Sequence, residues 1–175
     1  MKIKPIIPIV SVLIFLALAT SCSDQKKEDK AGNLKGEITN KLQEKINLDT
    51  IKTVELSEKS KKVTEEWIKY IALNSEMERL ENYIVLDVIN NASTIENVID
   101  SLPIVIPKVF DTKAIKARII TLKTHSKLLE ENSERVEPNP SEIKELSAKL
   151  KLDFNNLNIQ LNEVFIIEDN TFQTN

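Results

Sequence analysis

The stretch NPSEIKELSAKLKLDFNNLNIQLNEVFI (139–166) decides the fold class. Asn139 offers a side-chain acceptor at a helix N-cap, Pro140 has no N–H to leave unpaired at the first helical position, and Glu142 can bond back across the first turn. From there Ile143, Leu146, Leu150, Phe154, Leu157, Leu161 and Val164 recur at steps of three and four. That spacing places every one of them on one face of a helix. Leu152, Ile159 and Ile166, seven apart, form a second apolar stripe, which predicts contact with more than one neighbour. The spacing predicts a helix over 140–166.

The same rhythm runs upstream. Ile115, Ile119, Leu122, Ser126, Leu129, Ser133 and Val136 form the seam of a helix that starts at Asp111 and stops before Glu137-Pro138, because the residue before a proline avoids helical geometry. So short a link predicts an antiparallel hairpin of two helices, each roughly 37–40 Å long at 1.5 Å per residue. Val63, Trp67, Tyr70, Met77, Ile84 and Val88 extend the pattern and predict a helix over about 51–90, with Trp67 and Tyr70 in the core. Leu34, Ile38, Leu42 and Ile46 suggest a further helix before a break at 47–50. Ser93-Thr94-Ile95-Glu96 has the form of a capping box that opens a short helix ending at Leu102-Pro103. Between Pro103 and Phe110 two prolines bracket branched residues, and an extended crossover is expected.

Composition agrees. The only glycines are Gly32 and Gly36, and beyond them the prolines fall only at 103, 107, 138 and 140. An all-β or α/β domain needs many more turn residues. The expectation is an all-α protein: a three- or four-helix antiparallel bundle over 34–167, with a polar tail at 168–175. The net charge of −3 falls further when Lys2 and Lys4 are removed. No electrostatic footprint for nucleic acid exists.

The amino-terminal end has a different character. Met-Lys-Ile-Lys is followed by an apolar run over 9–19, too short to span a bilayer but suited to a secretory signal. Small residues follow, and then the single cysteine of the 175-residue chain. Leu18-Ala19-Thr20-Ser21-Cys22 resembles the lipobox of bacterial lipoproteins. The resemblance implies cleavage of residues 1–21 and acylation of Cys22, so that the membrane is contacted through lipid. Two or three acyl chains make such attachment stable, where one is marginal. Residues 22–33 are almost wholly polar and read as a flexible tether. Lys27-Glu28-Asp29 resembles the surface-export signals of Bacteroidota lipoproteins. In proteobacterial sorting an aspartate directly after the cysteine favours the inner membrane; Ser23 stands there instead, which implies the cell envelope at the outer membrane.

Candidate chemistry is sparse. His125 is the only histidine, and no Glu-x-x-His pair accompanies it, so no metal site is expected. Arg118 shares its helical face with His125 and reads as a snorkelling arginine whose stem covers apolar surface; a buried network with Glu130 or Glu134, or an anion site between helices, is the alternative. Paired carboxylates such as Glu65-Glu66 point apart on a helix. No glycine elbow, phosphate loop or catalytic set appears. No enzyme activity and no cofactor are expected. The function expected is interaction with a protein partner through a helical surface; a ligand-binding bundle near Arg118 and His125, or an envelope inhibitor or immunity factor, are the alternatives.

Overall fold

The computed structural model describes residues 36–172, with side chains described through Ile166. The lipobox, Cys22 and the tether lie outside the described residues, as do residues 173–175. Two compact units divide between Asn40 and Lys41. A short helical stretch covers 36–42, and everything below concerns the larger unit.

The protein is all-α. In chain order its helices are α1 (Glu58–Thr64), α2 (Ile68–Leu80), α3 (Val85–Asp100), α4 (Lys113–Ser133) and α5 (Pro140–Phe172), with 3-10 turns at Leu102–Ile104 and Lys108–Phe110 between α3 and α4. The directions follow from side-chain pairs. Arg135 meets Glu142 and His125 meets Asp153, so α4 and α5 are antiparallel. Asp100 meets Lys123, and Ser93 bonds Glu130, so α3 and α4 are antiparallel as well. Tyr70 reaches Asn158 and Glu81 reaches Lys151, so α2 is antiparallel to α5. The expected bundle is present, with α5 as its central member: α1, α2, α3 and α4 all pack on it.

The predicted seam of α5 is the heart of the core. Ile143, Leu146, Leu150, Phe154, Leu157 and Leu161 are all buried, facing Ile115, Ile119, Leu122 and Leu129 of α4 and Val88, Ala92, Ile95 and Ile99 of α3. Asn139 caps the helix as its sequence predicts, accepting from the Ser141 and Glu142 amides. Nothing in the following residues breaks the helix, and it continues to Phe172.

Several boundaries differ from the sequence expectation. The helix expected over 51–90 is three helices joined by turns at 65–67 and 81–84, preceded by an extended strap over 52–57. Thr53 and Val54 carry β-branched side chains that favour extended backbone, and α5 supplies that backbone with hydrogen-bond partners. The helix expected to open at Ser93 is the second half of α3; its cap lies earlier, where Asp87 accepts from the Ile84 amide. The start of α4 is capped by Thr112, whose hydroxyl accepts from the Ile115 amide, while Asp111 pairs with Lys116. Thr112→Ala should therefore lower stability by about 1 kcal/mol, and Asp111→Ala by much less, in urea titrations of each variant. At its other end α4 stops at Ser133 and leaves Val136 fully exposed, because Asn132 accepts from the Asn139 amide and turns the chain early. The 103–110 piece is a pair of 3-10 turns around a short extended link, pinned by the buried Phe110.

The second stripe of α5 also differs. Leu152, Ile159 and Ile166 are exposed. The second covered stripe is polar: Ser147, Lys151, Asn155 and Asn158 are buried and Asn162 is half-buried. This polar stripe holds the strap.

Candidate functional site

Two surface features stand out. One is apolar and lies around the link between the two 3-10 turns. Ile104 and Val105 sit between Pro103 and Pro107, which restrict the backbone and keep it from closing into helix. They are 71% and 67% exposed, beside Ile68 at 75% and Ile120 at 63%. Val105 separates two grooves. One, of about 660 Å³, runs past Ile119 and Ile120 of α4. The other, of about 480 Å³, is lined by Val63, Trp67, Ile68 and Pro107. Trp67 is buried, and its indole N–H finds no acceptor among the described residues. Of the charges at the rim, Lys116 pairs with Asp111 and Lys123 with Asp100, each at 2.5 Å, while Glu66 and Lys69 line the second groove.

Beneath this patch an aromatic chain fixes its position. Trp67 stacks on Tyr70 at 5.8 Å and meets Phe110 at 6.2 Å; Phe110 in turn meets Phe165 edge-on at 5.9 Å, and Tyr70 stacks on Phe154 at 5.9 Å. The patch therefore rests on rings shared between α2, the crossover and α5.

The other feature is polar. A cleft of about 350 Å³ lies between residues 53–56 and α2, with Lys151, Phe154 and Asn158 of α5 also lining it. The Lys151 stem is buried and its ammonium group donates to Thr53 Oγ1 at 2.8 Å and to Glu81. The Tyr70 hydroxyl donates to Asn158 Oδ1 at 2.8 Å. Burial pushes the Tyr70 phenol well above its ordinary range, the Asn158 bond opposes that push, and Glu55 adds a smaller upward contribution.

The strap itself is held by amides. Asn155 Nδ2 donates to Lys52 O and its Oδ1 accepts from the Val54 amide. Asn162 does the same for Glu55 O and the Ser57 amide. Asn158 Nδ2 donates to Val54 O. One residue of a parallel β-strand would make this pair of bonds to the residues flanking its partner. The spacing fits: seven helical residues rise about 10 Å, as do three extended ones. Three asparagines on one face of α5 hold this backbone.

The residues singled out from the sequence are not brought together. His125 is half-buried and its Nδ1 lies 2.5 Å from Asp153 Oδ2, joining α4 to α5. Arg118 is exposed, and the alternative network with Glu130 does not form. Glu130 instead takes Lys127 at 2.6 Å, a bond that holds its carboxyl below the ordinary carboxylate value. Neither Arg118 nor His125 lines the clefts described above. Cys22 lies outside the described residues. Among the described residues no group of acidic, histidine or cysteine side chains is placed to hold a metal ion, and no helix is long and apolar enough to cross a membrane.

No protein-family model matches the chain, and no curated protein or solved structure matches it either.

Proposed function

We propose that this chain is a lipid-anchored protein of the bacterial envelope, acylated at Cys22, whose helical domain binds a protein partner and performs no catalysis. The attachment rests on the lipobox-like run 18–22. The interaction role rests on one observation above all: the cluster of Ile68, Ile104, Val105 and Ile120, four large aliphatic side chains exposed together around the crossover. Covering one large aliphatic side chain contributes about 1.5–3 kcal/mol. Several together offset an association cost of roughly 4–15 kcal/mol only if the partner also fills the flanking grooves. A protein surface suits these better than an anionic bilayer does, since two of the three lysines lining the grooves are paired with carboxylates and Glu66 lines one groove as well.

The expected behaviour is specific. Wild-type chain in intact cells incorporates a tagged fatty acid, and Cys22→Ser does not. Val105→Asp combined with Ile68→Asp keeps its unfolding free energy within about 0.5 kcal/mol of wild type, as exposed substitutions do. The same variant no longer captures the protein that wild type captures after cross-linking in cells. Capture that survives both aspartates contradicts the proposal.

A further inference from the structure

The groove of about 480 Å³ contains an uncapped helix start. Its lining includes Trp67, Ile68 and Lys69. Trp67 is the N-cap of α2, and its side chain makes no capping bond. The Tyr70 and Ile71 amides both donate to Trp67 O, at 2.9 and 3.1 Å. The Ile68 and Lys69 amides carry no hydrogen bond among the described residues. Two unpaired N–H groups thus stand at the positive end of a 13-residue helix. A second observation is independent of the helix. Trp67 is 2% exposed, and its indole Nε1–H finds no acceptor among the described residues. Buried donors are normally satisfied, and an orphan calls for an explanation. Lys69 adds a half-buried ammonium group with no carboxylate partner among the described residues.

Three consecutive residues of one groove therefore offer donors and lack an acceptor. The remaining lining is Val63, Val105 and Pro107, with Glu66. We infer that the partner proposed above presents the C-terminal residue of its chain here. Its apolar side chain packs on Val63, Val105 and Pro107, and its carboxylate accepts from the start of α2, from Lys69 and from the Trp67 indole. This inference rests on the protein-partner reading and adds the chemistry of the contact. Charge selects a monoanion. Lys69 and Glu66 cancel, so the groove has little to offer a doubly charged phosphate, whereas the helix end and its free amides suit one carboxylate. Apolar walls beside the donors require an apolar group next to the carboxylate. A C-terminal residue carries both on one Cα, and an aspartate or glutamate side chain does not.

The test uses the full acylated chain in phosphatidylcholine nanodiscs and an N-acetylated hexapeptide of glycine and serine ending in leucine with a free carboxylate. Trp67 is the chain's only tryptophan, so its indole N–H resonance reports the groove without ambiguity. The expected result is a saturable shift of that resonance. The same peptide amidated at its C-terminus, the acid ending in glycine, and an amidated peptide ending in leucine-aspartate each bind at least about tenfold more weakly. Lys69→Gln weakens binding of the leucine acid by roughly threefold, and Glu66→Gln strengthens it by a similar factor. Equal binding of either amidated peptide overturns the inference, and so does binding that leaves the indole resonance in place. If no peptide binds while Val105→Asp with Ile68→Asp still loses the cellular partner, this inference fails and the partner reading stands. Capture that survives both aspartates removes the reading and the inference together.

Discussion

Phe110→Ala is expected to lower the unfolding free energy by about 3–5 kcal/mol. Phe110 is fully buried at the end of the crossover, with Trp67 on one side and Phe165 on another. These neighbours belong to different elements, so none can slide inward to fill the space without moving a helix. The cavity therefore persists and the full cost is felt. In urea titration the midpoint should fall sharply while the slope stays the same, because the surface exposed on unfolding hardly changes. A loss below about 1 kcal/mol would mean that the crossover is not anchored by this ring. The variant also has a functional consequence. The link carrying Ile104 and Val105 is fixed downstream by Phe110, so the apolar patch should lose its shape before the bundle unfolds.

Asn158→Ala should cost about 2–5 kcal/mol. Asn158 is buried and serves two partners, accepting from the Tyr70 hydroxyl and donating to Val54 O. Alanine leaves both orphaned, one inside the core and one in the strap. Removing the phenol as well removes one of the orphans. Tyr70→Phe added to Asn158→Ala should cost less than the two single changes combined, which a double-mutant cycle measures. Strictly additive costs would show that the two side chains do not share this bond. Hydrogen exchange provides a second check on these bonds: the Val54 and Ser57 amides should be protected, and the Thr53 amide just before them should exchange freely.

Much of this architecture can be read from apolar spacing. The α5 seam, the α4–α5 hairpin and the burial of Trp67 and Tyr70 follow from residues three and four apart, because one burying face is what a helix needs. The strap does not follow. Val54 and Leu56 fall near the upstream rhythm, and no glycine or proline marks the breaks at 65–67 and 81–84. The strap is extended because of partners about a hundred residues away, which local propensity does not register. A signal did exist in α5. Asn155, Asn158 and Asn162 share one helical face, and asparagine is a poor helix former with side-chain groups suited to backbone. Searching only for apolar stripes treats that face as solvated, and it selects Leu152, Ile159 and Ile166 instead. The apolar patch was hidden for the opposite reason. Ile68 and Ile120 are indistinguishable in sequence from core residues, and only the packed helices show which of them lack a neighbour.

Arg118 and His125 illustrate the limit of shared-face arguments. Both lie near one face of α4, yet the neighbour that α5 presents to His125 is Asp153, and Arg118 lies exposed. A helical wheel orders residues around an axis, but the register of the facing helix decides what they meet.

A photo-activated cross-linking residue at position 105, in cells making the otherwise native chain, tests the proposed role most directly. The expected result is a discrete adduct with one protein of different sequence, absent when the same group is placed at exposed position 145. Adducts to lipid alone, to a second copy of this chain alone, or identical products from both positions would contradict it.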